Sequence, residues 1–338
     1  MDLNTTWFVL VGVLFAGYAI LDGFDLGVGI LHLFIKGDTE RRLCINAIGP
    51  VWDGNEVWLV TGGGALFAAF PEVYATAFSG FYTAFMLLLV TLIFRAVAIE
   101  FRSKHASATW RRNWDIAFSA SSFGIALLMG IAFGNIAAGL PLDAEHNITG
   151  GFLGLLRPFP LIVGVTTVVL FAMHGAIYLV LKTEGELQQR IRGWVKPLIF
   201  TFIGCYVVTT GTTLIWVEHL ASRMLAQPWW GIVPLLTVLA VANIPREIHH
   251  GREFLAFLSS SAAIGLLVAL VGIGIFPNLL LSVPDHANSL NIINAASSQK
   301  TLGIMLVVAI IGVPLVLTYT VGIYWLFRGK VKLENHSY

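Results

Sequence analysis

The sequence predicts an all-α polytopic membrane protein of about nine transmembrane helices, set out as two four-helix bundles with one peripheral helix. Three observations predict it. Of the 338 residues, 57% are hydrophobic and only 12% charged, and the mean hydropathy is +0.81; no water-soluble domain has interior enough for that much apolar surface. Apolar stretches near the roughly 20 residues that a hydrocarbon core requires recur along the chain. Finally, the basic residues alternate between successive inter-helix segments, as they do when every second segment stays on the cytoplasmic side.

The stretches run at 7–34, 50–70, 76–101, 114–139, 159–181, 197–220, 229–245, 254–276 and 302–327. A short charged loop, Lys36 to Arg42, joins the first two. Pro50 opens the second, Pro71 closes it, and Pro158 and Pro160 precede the fifth, each where a proline costs a helix nothing. The seventh is short and broken by Pro234.

Orientation follows from the twenty Lys and Arg. Lys36, Arg41 and Arg42 follow the first stretch; Arg102, Lys104, Arg111 and Arg112 the third; Lys182, Arg190, Arg192 and Lys196 the fifth. Arg246 and Arg252 follow the seventh, and Arg328, Lys330 and Lys332 the ninth. Only Arg157, Arg223 and Lys300 fall in the opposite segments, and Arg95 lies inside the third stretch. The N-terminus is therefore expected outside and the C-terminus in the cytoplasm, with an odd number of crossings. Met1-Asp2-Leu3 lacks a basic n-region, so the first stretch is expected to remain as a helix. The whole chain reads as one transmembrane domain: residues 1–140 a first bundle, 141–300 a second, 301–338 the ninth helix and a cytoplasmic tail. No residue-level repeat marks the halves. The segments 140–158 and 277–301 are polar, poor in charge and not expected to fold as extramembrane domains. Trp7, Trp229 and Trp230 fall at the outer boundary and Trp110, Trp114 and Trp325 near the inner one, as in an interfacial belt.

Several function classes drop out. A net charge of +1, with no basic run and no glycine-rich phosphate loop, excludes nucleic acid as a partner. Cys44 and Cys205 form neither a disulfide framework nor a thiolate metal site. His174 has Met173 beside it, but adjacent residues do not share a helical face; His32 ends a helix, and His249 and His250 lie in a loop. No His pair stands at i, i+3 or i+4 within a stretch, so redox chemistry, if present, is expected on another chain.

The candidate functional residues lie in the first half. Asp22 and Asp25 are three apart in the first stretch, and Asp53 and Glu56 three apart at the start of the second, so each pair shares a face. A carboxylate at bilayer depth costs several kcal/mol by any scale. At a rise of about 1.5 Å per residue, Asp25 falls in the cytoplasmic half of its helix, and Arg95 and Glu100 occupy the last turns of the third. All these ionisable groups converge on the cytoplasmic side of the first bundle. Groups of staggered proton affinity can pass protons through water, so Asp22, Asp25, Asp53, Glu56, Arg95 and Glu100 read as a proton-uptake path. Structural readings compete: the helix dipole favours Asp53 and Glu56 in a first turn, Arg95 can pair with Asp22 or Asp25 for packing alone, and Glu100 can snorkel to the surface.

A family likeness rests on particular segments. They are Leu21-Asp22-Gly23-Phe24-Asp25-Leu26-Gly27, Pro50-Val51-Trp52-Asp53-Gly54-Asn55-Glu56-Val57-Trp58, Thr61 to Pro71, Ala77 to Tyr82, Phe94-Arg95 leading to Glu100-Phe101-Arg102-Ser103-Lys104, and Gly130 to Asn135. In these the chain resembles subunit II of the cytochrome bd quinol oxidases, densely over the first 140 residues and beyond them by helix number and length. The resemblance implies a subunit that pairs with a similarly folded subunit I across a pseudo-two-fold interface, in a bacterial or archaeal cytoplasmic (inner) membrane. It implies that haems b558, b595 and d are held by subunit I, with no haem ligated by this chain. The complex would oxidise quinol, reduce O2 to water and take protons from the cytoplasm without a pump, so generating proton motive force. Small accessory subunits, membrane lipid and a structural quinone are further implied partners, and no residue here places the quinone. Asp25 matches the family's acidic position in the first helix, and Asp53 the aspartate in the second that the family associates with proton delivery. Glu56 stands where relatives carry Gln. Two other readings remain: an independent ion-coupled transporter, which intramembrane acids and glycine-interrupted helices also permit, and a purely structural subunit.

Overall fold

The structure, a computed structural model, describes residues 2–226 and 228–333, without the side chains of 223–228. Helix α1 (Leu3–Leu31) starts where the Asp2 carboxylate accepts the backbone N–H of Thr5 at 2.7 Å, an N-cap that satisfies one of the free donors of the first turn. It ends in a 3-10 turn, His32–Phe34. There follow α2 (Asp38–Ile48), α3 (Trp52–Ala69), α4 (Pro71–Gly80), α5 (Tyr82–Phe101) and α6 (Ala108–Ala138), then the single turn α7 (Gly151–Gly154). The second half holds α8 (Pro158–Lys182), α9 (Gly185–Trp216), α10 (Glu218–Ala226), α11 (Ile232–His249), α12 (Glu253–Ile275), strands β1 (Asn278–Leu280) and β2 (Leu290–Asn291), and α13 (Gln299–Leu326).

Helix α8 is the centre of the molecule. It packs on α1, α6, α9 and α12, and glycines let the backbones meet. A Cβ on Gly27 of α1 would stand 2.8 Å from the Cα of Gly175 on α8, and one on Gly130 of α6 would stand 2.7 Å from the Cα of Gly164. Both contacts are backbone to backbone, so no side chain can rotate out of the way. Such approaches are how helices associate where lipid removes most of the hydrophobic drive. The central window of α8 is 61% buried, against 6% for α13, which lies along α1 and α3 with most of its apolar surface outward.

Among the described residues eight helices are long and apolar enough to cross a membrane. Each of the nine expected stretches contains a helix, but α3, which covers the second, is not among the eight. It is 18 residues long and carries Asp53 and Glu56 in its first two turns. Several expected boundaries are corrected. The loop from Lys36 to Arg42 is largely the start of α2. The third stretch is divided at Phe81 between α5 and a separate helix, α4, which Pro71 opens directly after α3 ends. Pro234 falls in the first turn of α11, where its missing N–H has no partner to lose. Arg190, Arg192 and Lys196 lie on the first turns of α9, which continues through Pro197. Met1, the side chain of Arg223 and positions 334–338 of the expected tail lie outside the described residues.

The segments 140–158 and 277–301 also fold more than expected. Leu140 N–H donates to Leu281 O at 2.8 Å, Val283 N–H to Leu140 O at 3.0 Å, and β1 pairs antiparallel with β2. Leu140, Leu142, Leu280 and Leu290 are buried there against Phe70 and Phe81. The chain enters this cap at Gly139, whose φ of +83° a side chain would resist and whose Cβ would meet Val283. Trp7, expected in the interfacial belt, is buried instead, its indole N–H donating to Leu302 O at 3.0 Å.

Candidate functional site

Helical periodicity puts Asp22 and Asp25 on the face of α1 opposite Gly23 and Gly27, so the acids turn toward α3 and α5 while the glycines meet α8. Arg95 projects from α5 into that space. Its guanidinium donates from Nη2 to Asp22 Oδ1 at 2.5 Å and from Nη1 to Asp22 Oδ2 at 3.1 Å, the bidentate fork that suits Arg to carboxylates. Asp25 Oδ2 lies 4.0 Å from Arg95 Nη2, and Glu56 Oε2 3.6 Å from Nη1. Asp22, Asp25 and Arg95 are all 0% exposed, whereas the Glu56 side chain is 21% exposed. One guanidinium thus faces three carboxyl groups.

Two residues that the sequence reading passed over complete the arrangement. Asn55 donates its amide to Asp25 Oδ2 at 2.7 Å and to Leu21 O at 3.2 Å, and its Oδ1 accepts the Tyr324 hydroxyl at 2.8 Å. A buried amide beside Glu56 in an otherwise apolar helix was the available signal. Tyr324 gave none, since a Tyr near the end of an exposed helix resembles any interfacial aromatic. Asp25 Oδ1 and Arg95 Nε are buried without a hydrogen-bond partner among the described residues.

The six predicted residues therefore do not all meet. Asp22, Asp25, Glu56 and Arg95 converge. Asp53, in the first turn of α3, is exposed. Glu100 lies half-buried more than a turn beyond Arg95 on α5.

A second ionic cluster joins the ends of α1, α5 and α6. Asp115 accepts from His32 Nε2 at 2.6 Å, Arg41 Nη1 at 2.8 Å and Arg102 Nε at 2.5 Å, while Asp38 accepts from Arg102 and Arg111 at 2.8 Å each. It was visible in the sequence only as scattered charges around helix ends.

Two histidines, His32 and His174, are buried between the helices. His174 holds both ring nitrogens in hydrogen bonds, Nδ1 with Ser260 Oγ at 2.7 Å and Nε2 with Ile20 O at 3.0 Å. His32 commits Nε2 to Asp115. Among the described residues no three His, Cys, Asp or Glu are grouped to hold a metal ion.

Fold and cluster define a multi-pass membrane protein that keeps ionisable side chains between its helices. Residues 3–327 match the family model of cytochrome bd terminal oxidase subunit II. The chain is 37% identical over 375 residues to cytochrome bd-I ubiquinol oxidase subunit 2 of Escherichia coli, covering 98% of this chain and 96% of that one. It is 33% identical over 332 residues to cytochrome bd ubiquinol oxidase subunit 2 of Bacillus subtilis, covering 98% and 97%. The fold is similar to a chain of the bd oxidase from Geobacillus thermodenitrificans, with a TM-score of 0.80 at 16% identity over 97% of this chain and 98% of that one. The chain belongs to the cytochrome bd terminal oxidase subunit II family, and its role is that of subunit II in such an oxidase.

Proposed function

We propose that this chain, as subunit II of a quinol-oxidising, O2-reducing complex, carries part of the route by which protons reach subunit I, and that subunit I ligates haems b558, b595 and d. The observation that carries the reading is the ratio in the buried cluster: Asp22, Asp25 and Glu56 against Arg95 alone. Full ionisation would leave two uncompensated negative charges, with Asp22 and Asp25 fully buried and Glu56 partly so, which is expensive; two protons shared among the three carboxyl groups restore balance. A site built to hold exchangeable protons is suited to passing them.

Its parts divide the work. Arg95 locks Asp22 through two hydrogen bonds, leaving Asp25 Oδ1 as the buried oxygen with no competing donor. Asn55 fixes the carboxyl plane of Asp25 through Oδ2. Glu56 reaches the cluster from a partly exposed position, and Asp53 presents an exposed carboxylate on the same helix, where a partner subunit or water would meet it. In this reading all nine stretches cross the membrane, α3 included, the N-terminus is outside, and the acids open toward the cytoplasm. Its two four-helix bundles, 1–140 and 141–300, are joined at the α1–α8 crossing, with α13 peripheral.

The test is Asp25→Asn and, separately, Asp53→Asn in the assembled oxidase, with quinol-driven O2 consumption measured alongside complex yield and the haem spectrum. A proton-path role predicts an intact complex with turnover lowered about tenfold or more by Asp25→Asn, equivalent to about 1.4 kcal/mol on the limiting barrier. A purely structural subunit predicts normal turnover in every variant that assembles.

A further inference from the structure

A cavity of about 560 Å³ opens among the ends of α1 and α5 and the start of α6, lined by Arg41, Arg102, Arg111, Arg112, Asp38 and Asp115. Its volume is within the roughly 300–1,000 Å³ typical of small-ligand sites. Four guanidinium groups face two carboxylates, an excess of two positive charges. The acids do not use all the donors. Asp115 and Asp38 engage Nε and Nη2 of Arg102, but Arg102 Nη1 is left without a hydrogen-bond partner among the described residues, as is Arg111 Nε. Arg102 is 1% exposed. Guanidinium groups held in place by neighbouring salt bridges, with the exposed Arg112 beside them, form a basic receptor for an oxyanion, and the planar fork of Arg suits phosphate above other anions.

The rest of the lining indicates where that phosphate comes from. Leu33 and Ile116 border the same cavity and are exposed, with Phe34 at 68% beside them and the Trp110 indole on the first turn of α6. A soluble phosphate has no use for an apolar rim. A phospholipid does: its headgroup sits at the helix ends while its chains lie along the apolar flanks below, and basic pockets at the ends of membrane helices are matched to anionic lipids. We propose that this cavity binds the phosphodiester headgroup of an anionic glycerophospholipid in the leaflet bordering the Arg-rich loops.

The experiment uses the whole oxidase complex, delipidated in detergent and titrated with dioleoyl-phosphatidylglycerol under native mass spectrometry, beside matched titrations with dioleoyl-phosphatidylcholine and inorganic phosphate. The intact complex is expected to retain one phosphatidylglycerol more tightly than phosphatidylcholine. Arg111→Gln and Arg112→Gln together should weaken that binding about tenfold or more, as removal of charge-assisted donors does. Should the double variant fail to assemble, Arg112→Gln alone carries the test, because its side chain is exposed. Equal retention of phosphatidylcholine, unchanged phosphatidylglycerol binding in the variants, or occupation of the cavity by subunit I would overturn the proposal. So would full displacement by millimolar inorganic phosphate, which would make the occupant a soluble anion.

Discussion

Replacing Arg95 by Met removes the guanidinium that faces Asp22, Asp25 and Glu56. Asp22 loses hydrogen bonds of 2.5 and 3.1 Å and stays buried. Breaking such a pair by deleting one partner costs about 3–5 kcal/mol, most of it from the carboxylate left uncompensated. At about 2 °C per kcal/mol for a domain of this size, the unfolding midpoint should fall by roughly 6–10 °C. Intrinsic tryptophan fluorescence of the detergent-solubilised complex on heating reads the shift. The decisive arm is the double variant Asp22→Leu/Arg95→Met, in which both charges leave together. Buried ion pairs exchanged for apolar residues are often neutral or stabilising, so the double variant should regain most of the lost midpoint. Its O2 consumption should nevertheless stay low, because Asp25 and Glu56 have lost the charge that orders them. A single variant with an unchanged midpoint would refute the assigned pairing. A double variant restored in both stability and turnover would reduce Arg95 to a structural role.

Other expectations follow from single contacts. Asn55→Leu leaves Asp25 Oδ2 and the Tyr324 hydroxyl without their partner, costing about 1–3 kcal/mol; a midpoint and turnover both equal to wild type would refute the bridge. Gly175→Leu places a side chain against the backbone of Gly27 and should abolish accumulation of the complex in membranes, whereas Gly12→Ala, with nothing within 4 Å of the added Cβ, should leave it unchanged; immunoblots of membrane fractions decide. Cys44 on α2 is fully buried, and burial pushes its thiol well above the usual range. It therefore stays a neutral thiol at pH 8 and should react with a maleimide only after denaturation; stoichiometric labelling of the folded complex would contradict the packing.

Hydropathy located every long helix because burial in lipid writes a strong, local signal, about 20 apolar residues at a time. It was silent on what depends on distant partners. Nothing near Phe81 says that the third stretch divides there into α4 and α5. The cap formed by segments 140–158 and 277–301 was missed because Leu140, Leu142 and Leu290 are isolated apolar residues in polar segments that bury one another only once residues about 140 positions apart are adjacent. At the site, the spacing of Asp22 and Asp25 was legible and their convergence with Arg95 followed from chain direction. The same reasoning did not show that Asp53 stays exposed beside Glu56 while Glu56 reaches the cluster. A three-residue separation puts two side chains on one broad face, yet a small rotation of α3 suffices to turn Glu56 inward and Asp53 out.

What holds the cluster in register is the opposite side of α1. At about 100° per residue, Gly23 and Gly27 point roughly 150° away from Asp22 and Asp25. On the glycine side the backbone of α1 rests on that of α8, with Phe171 filling the space beside Gly23. Backbone contact leaves no rotamer to absorb a twist of the helix, so any rotation of α1 about its axis is blocked by α8 before it is felt by Arg95. The apolar crossing therefore sets the distances in the charged site. A bidentate fork tolerates little misalignment, and a misplacement of about 1 Å can cost two orders of magnitude in rate. Under the proposed proton-path role, substitutions on the glycine face, which touch no ionisable group, should lower turnover as strongly as substitutions among the acids. A Gly23 variant that assembles with α1 rotated should show the turnover defect of Asp25→Asn with every carboxyl group still present.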